Sequence, residues 1–124
     1  MLAYIDKKML EPETLPIENQ TLLKHAVWID LLAPSPIEKD EVEQYLGRDI
    51  PTREEMVEIE LSSRLYKENG ILFMTATMIA HSDSPAPKLD PVTFVLTQQQ
   101  LITIRYIEPQ SFKLFHSKLK KIDP

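Results

Sequence analysis

Carboxylates dominate the residues of this chain that could do chemistry. Asp and Glu number 19 against 14 Lys and Arg, a formal net charge of −5, and an acidic surface of that kind suits solubility or the attraction of cations. It disfavours nucleic acid as a partner, because duplex binding needs a basic face that neutralises phosphates. With no cysteine, thiolate metal sites and disulfides are excluded, which fits the cytosol. His25, His81 and His116 stand far apart and lack the spacing of metal ligands, so ordinary surface or loop positions are expected for all of them. A Gly-rich phosphate loop, a nucleophile elbow and a histidine-paired serine are missing, and only two glycines are available for tight approach to a ligand. A small enzyme is disfavoured on these grounds. Asp30 lies inside the apolar run AVWIDLL, where a carboxylate without partners would be costly. It is expected to cap or hydrogen-bond a neighbouring loop, with Trp28 packing in the core or at its rim.

The elements that would position these groups are legible from local signals. At 124 residues and 43% hydrophobic content the chain can bury one modest core, so one domain is expected over 1–124. Leu2–Met9 reads as a first strand, and the Pro-punctuated EPETLPIEN as an extended connection or second short strand before a strand at Ala26–Leu32. Ser35-Pro36-Ile37-Glu38 carries a capping box with proline at the first helical position, and Gly47 supplies a stop, which predicts a helix over Pro36–Leu46. Ile37, Val42, Tyr45 and Leu46 are expected to form its apolar stripe, with Glu38, Asp40, Glu41 and Glu43 mainly in solvent. A second box, Thr52-Arg53-Glu54-Glu55, precedes a short acidic helix bearing Met56, Ile59 and Leu61.

Arg64–Glu68 and Ile71–Ala80 flank Asn69-Gly70, a dipeptide suited to a type I′ hairpin turn. A mobile Ser/Pro/Asp-rich loop is expected over His81–Pro91. Val92–Thr97 and Leu101–Tyr106 then form a second pair across Gln98-Gln99-Gln100. Pro109 opens a terminal helix whose Phe112, Phe115, Leu119 and Ile122 recur at spacings of three and four beside Lys113, Lys118, Lys120 and Lys121. Those lysines read as a solvated face that also favours the C-terminal dipole end. The fold class expected is α+β, an α/β-type sandwich with a mixed, largely antiparallel sheet. Its strands are apolar on both sides, yet three modest helices can cover only one face. The helices are therefore expected on one face, with the cover of the other missing from the chain and supplied by later residues, a partner or self-association. The ending at Lys121-Ile122-Asp123-Pro124 reads as a boundary within a longer protein.

Val27-Trp28-Ile29-Asp30-Leu31, the helix ending near Gly47, the acidic helix of Thr52–Arg64, the Phe94–Leu96 strand, and Leu101-Ile102-Thr103-Ile104-Arg105 with the Phe112 helix occur in one order. That collinear set resembles the cytosolic N-terminal domain of CorA-type divalent-cation (Mg²⁺/Co²⁺) transporters over nearly the whole chain. The resemblance implies a homopentamer in the inner membrane, each subunit having a cytosolic αβα domain, a long stalk helix and two transmembrane helices. The Gly-Met-Asn pore signature is absent here, and nowhere does an apolar run approach the roughly 20 residues that span a bilayer. The mixed N-terminus MLAYIDKKMLEPE has no apolar region of the signal-peptide kind, so no export is expected.

The resemblance further implies that a carboxylate on the second acidic helix joins an intersubunit site that senses cytosolic Mg²⁺ and favours closure. Met56-Val57-Glu58-Ile59-Glu60 aligns with that region, which makes Glu58, and after it Glu60, the candidate metal ligands. Mg²⁺ takes hard oxygen donors, often one or two carboxylates with several waters retained. Val57 departs from the family, where that position is often acidic, and the partner carboxylate normally comes from a neighbouring stalk. Beside this reading, Glu58 and Glu60 could be the solvated face of a short helix. A zinc-transporting relative and a free-standing interaction module that uses the uncovered sheet face are the alternative functions.

Overall fold

A computed structural model describes residues 2–5, 23–24, 26–60, 64–80 and 85–119, with side chains for 23–24, 26–60, 64–80 and 85–114. The EPETLPIEN segment, Met9, Leu61, His25, His81, Ile122 and the lysines at 120 and 121 lie outside these residues, as do the side chains of Phe115, His116, Lys118 and Leu119. The chain runs β1 (Leu2–Ile5), β2 (Ala26–Leu32), α1 (Pro36–Leu46), α2 (Arg53–Glu58), β3 (Leu65–Glu68), β4 (Ile71–Ala80), β5 (Lys88–Leu96), β6 (Leu101–Arg105) and α3 (Gln110–Leu119). One six-stranded sheet has the order β1-β2-β6-β5-β4-β3. Every pairing is antiparallel except β2 with β6, where Trp28 faces Leu101, Asp30 faces Thr103 and Leu32 faces Arg105. The mixed, largely antiparallel α+β fold is thus the one expected. No helix among the described residues is long and apolar enough to cross a membrane.

Local chemistry sets the helix ends. Ser35 Oγ accepts from the Glu38 amide at 3.2 Å while Glu38 Oε1 accepts from the Ser35 amide at 3.0 Å. Gly47, at φ 77°, then closes α1 with its N–H on the Glu43 carbonyl at 2.9 Å. Thr52 and Glu55 repeat the reciprocal box at α2. Ser35→Ala removes the acceptor for one otherwise orphaned amide and is expected to lower stability by about 1 kcal/mol, read as a shifted urea midpoint at unchanged slope. Asn69 and Gly70 both hold positive φ, 51° and 79°, as the type I′ hairpin between β3 and β4 requires.

The face of α1 differs from the expected one. Ile37 is 55% exposed, whereas Glu41 is 8% exposed and lies beside buried Val42. On a helix of 3.6 residues per turn, Ile37 and Val42 are five steps apart and so about 140° apart around the axis. Glu41, in contrast, is one turn from Tyr45 and shares the inward arc. The His81–Pro91 loop is also shorter than expected, because β5 begins at Lys88. Pro91 sits within that strand opposite Thr77, past the end of the pairing with β6 at Val92. One edge of β5 is unpaired there, a position that tolerates a residue with no N–H.

Alternation along the strands separates two faces. On the first, Ile29, Leu31, Ile102, Ile104, Val95 and Phe73 pack with Val42 of α1, Ile50 and Met56 of α2 into the main core. On the second, Trp28 and Val92 form a smaller cluster with Phe112 of α3, flanked by Met78, Phe94 and Leu101. Helices α1 and α2 therefore cover one face, as expected. The second face is not bare: the first turn of α3 reaches it, because Phe112 finds aromatic partners there. Elsewhere on that face cover is thin, with Met74 41% and Leu96 49% exposed.

Candidate functional site

The residues singled out as metal ligands lie at the end of α2. Glu58 is its last residue and Glu60 follows Ile59, whose extended backbone (φ −60°, ψ 131°) ends the helix. Both glutamates are exposed. They offer hard oxygen donors of the kind Mg²⁺ takes, with open space for retained waters, but not a closed ligand set. Among the described residues no group of three or more His, Cys, Asp or Glu side chains stands close enough together to hold a metal ion. The structure places neither Glu58 nor Glu60 in such a group among the described residues.

It does assemble a different constellation, on the second face of the sheet. Asp30 on β2 and Arg105 on β6 are 0% and 1% exposed. Arg105 Nη2 donates to Asp30 Oδ2 at 2.6 Å and Nε donates to Oδ1 at 3.0 Å, a two-pronged pairing that matches the planar guanidinium to the carboxylate. Thr103 Oγ1 donates to Asp30 Oδ1 at 2.7 Å and accepts from Trp28 Nε1 at 3.0 Å. The remaining in-plane edge of Arg105 is used by Nη1, which donates to the Ile107 carbonyl at 2.9 Å. The Phe112 ring centroid lies 4.7 Å from Arg105 Cζ, in cation–π range.

Asp30 thus has the structural role expected, and among the described residues its partners are the β6 side chains of Thr103 and Arg105. Trp28 is buried as expected. Arg105 was not foreseen. Its signal was a single cation closing the apolar strand LITIR, to be matched with the single anion inside AVWIDLL; what was missing was the parallel pairing that sets the two strands side by side.

Among the described residues two further ion pairs lie outside this network. Arg53 Nη2 meets Asp90 Oδ1 at 2.8 Å, tying α2 to β5, and Arg48 Nη2 meets Glu68 Oε2 at 2.8 Å. Arg48 also lies over the Phe73 ring, 4.4 Å from its centroid, and Phe73 stacks on Tyr66. Tyr106, next to Arg105, has its phenol raised above the usual 10.0 chiefly by burial, with the Glu54 and Asp90 carboxylates adding to the rise and Arg53 opposing it. Gln100, just before β6, is tied to α1 by accepting from Tyr45 Oη at 2.8 Å and to the segment before β2 by donating to the Leu23 carbonyl. Beside Phe112, an apolar groove of about 350 Å³ is lined by Trp28, Met78, Phe94, Leu101, Thr103 and Phe112 with Ser111.

No family model matches the chain. Among curated proteins, the magnesium transport protein CorA of Wolinella succinogenes is 34% identical over 107 residues, covering 83% of this chain and 33% of that protein. CorA of Escherichia coli K12 is 28% identical over 106 residues, covering 86% and 34%. This chain spans about a third of the length of those relatives. Among solved structures, the soluble domain of CorA from Methanocaldococcus jannaschii aligns with 98% of this chain and 46% of its own, at a TM-score of 0.64 and 12% identity. The complete CorA magnesium transporter of the same organism aligns with 92% of this chain and 33% of its own, at a TM-score of 0.60 and 11% identity. The solved structures share the fold, and this chain is similar in sequence to magnesium transport proteins CorA over about a third of their length.

Proposed function

We propose that this chain is the cytosolic regulatory domain of a divalent metal-ion (Mg²⁺/Co²⁺) transporter, a single domain over 1–124 that lacks the stalk and transmembrane segments. The observation that carries the reading is similarity to magnesium transport proteins across 83% of the chain. In this reading the full-length protein is a homopentamer in the inner membrane with this domain on its cytoplasmic side. The domain takes part in transport and catalyses nothing. Glu58, with Glu60, supplies one side of a regulatory Mg²⁺ site completed by a carboxylate of the neighbouring subunit. Their exposure at the end of α2 suits a shared site. Ions that bind the closed assembly better than the open one shift the population toward closure, and their loss releases the domains.

Two measurements test this. Calorimetry of the isolated chain should find Mg²⁺ binding at millimolar or weaker affinity, as expected for one or two carboxylates with the neighbour's ligand missing; a tight, stoichiometric site would overturn the proposed division of ligands. In the full-length protein, replacing Glu58 and Glu60 together with Ala should abolish Mg²⁺-dependent protection of the cytosolic domain from protease. Undiminished protection would remove both residues from the sensing role. A second reading, a free-standing interaction module, draws on the exposed Met74 and Leu96 of the second face. It predicts a natural reading frame that ends at Pro124, where the transporter reading predicts a long helix and hydrophobic spans downstream. A zinc-transporting relative would be distinguished by the ion carried.

A further inference from the structure

We propose that Arg105 is a positioning residue that pins α3 to the sheet, so that α3 is a joint able to move while the sheet stays folded. The guanidinium commits separate parts of itself to three elements. Its Nε and Nη2 edge holds Asp30 of β2, its Nη1 holds the Ile107 carbonyl in the turn before α3, and its face lies under Phe112 within the first turn of α3. Thr103 fixes the carboxylate it reads. Among the described side chains, each ring contact between α3 and the rest of the protein runs through Phe112: to Trp28 at 6.1 Å, to Phe94 at 6.3 Å and to Arg105. These are tilted pairs at the outer end of aromatic contact, not close packing. The neighbouring groove of about 350 Å³, walled by Met78, Leu101 and Phe94, leaves the ring space to reseat. Among the described side chains the anchorage of α3 is gathered at its first turn on a directional cation, with room beside it, an arrangement that suits a local stability below that of the strands it rests on.

This inference does not depend on the transporter reading, and its test uses the 124-residue chain alone. Arg105→Lys keeps the charge facing Asp30 but loses the planar fork and the flat face. Phe112→Leu keeps an apolar side chain and leaves the Asp30–Arg105 pair intact. Amide hydrogen exchange would be followed in both. The expected result is an increase of about tenfold or more in the exchange of the Phe112 and Lys113 amides and the rest of α3, with the slowest amides of β4 and β5 changed less than threefold in Phe112→Leu. In Arg105→Lys, α3 should accelerate beyond whatever factor the whole sheet shows. Equal factors for α3 and the sheet in both variants would make Arg105 and Phe112 ordinary contributors to global stability, and unchanged α3 exchange would show that it is held elsewhere. Either result overturns the joint.

Discussion

Asp30→Ala is expected to remove about 3–5 kcal/mol of folding stability, the range for removing one partner of a buried ion pair. The cost arises from what is left behind. Arg105 is 1% exposed and would keep a buried charge whose Nε and Nη2 have lost their acceptor, while Thr103 would lose the oxygen it donates to. A domain of this size has only about 5–15 kcal/mol in total, so the variant should unfold at much lower urea or be recovered largely unfolded. The loss should depend little on salt, because buried pairs are screened less than surface pairs. The Arg48–Glu68 pair gives the contrast: its side chains are 23% and 53% exposed, and Glu68→Ala should cost about 0–1 kcal/mol, less in high salt.

A double replacement separates the pair's worth from the cost of breaking it. Asp30→Leu with Arg105→Met exchanges both charges for apolar side chains and should recover much of the loss, since apolar substitutes for a buried ion pair are often neutral or better. Urea titration of the single and double variants checks this. If Asp30→Ala alone cost under 1 kcal/mol, the network would not be the buried anchor that its distances indicate.

That network also shows how far the chain could be read without its structure. Signals contained within four or five residues were fully legible: the capping boxes at Ser35 and Thr52, the stop at Gly47 and the turn at Asn69-Gly70 each depend on neighbours in sequence. Strand faces were legible too, because apolar residues on both sides of β4, β5 and β6 imply cover on both sides. The partner of Asp30 was not. Asp30 and Arg105 are 75 positions apart, and only the parallel register of β2 on β6 makes them neighbours. Pro91 misled for a related reason, since whether a proline can sit in a strand depends on which edge of that strand is paired. The capping box at Thr52 marked the start of α2 but not its end: the helix stops at Glu58 and leaves Glu60 beyond it, short of the expected Thr52–Arg64, and a ligand that a second subunit would contribute cannot be read from one chain.

The inward face of α1 was misassigned at Ile37, and this leads to the second large effect. Leu31→Ala should destabilise the domain by about 2–5 kcal/mol, the usual cost of truncating a fully buried leucine, whereas Ile37→Ala should fall within about 0.5 kcal/mol as an exposed substitution. Leu31 is 0% exposed on the face of β2 that packs with Val42 and Met56, and α1 and α2 both bear on that cluster. A cavity there removes contacts from both helices at once. Ile37, only six positions away and equally apolar by composition, extends from the first turn of α1 into solvent at 55% exposure. Chemical denaturation of the two variants therefore tests the helix's rotation, not only its existence. Were α1 turned so that Ile37 faced the core, Ile37→Ala would cost as much as a core truncation, about 2 kcal/mol or more.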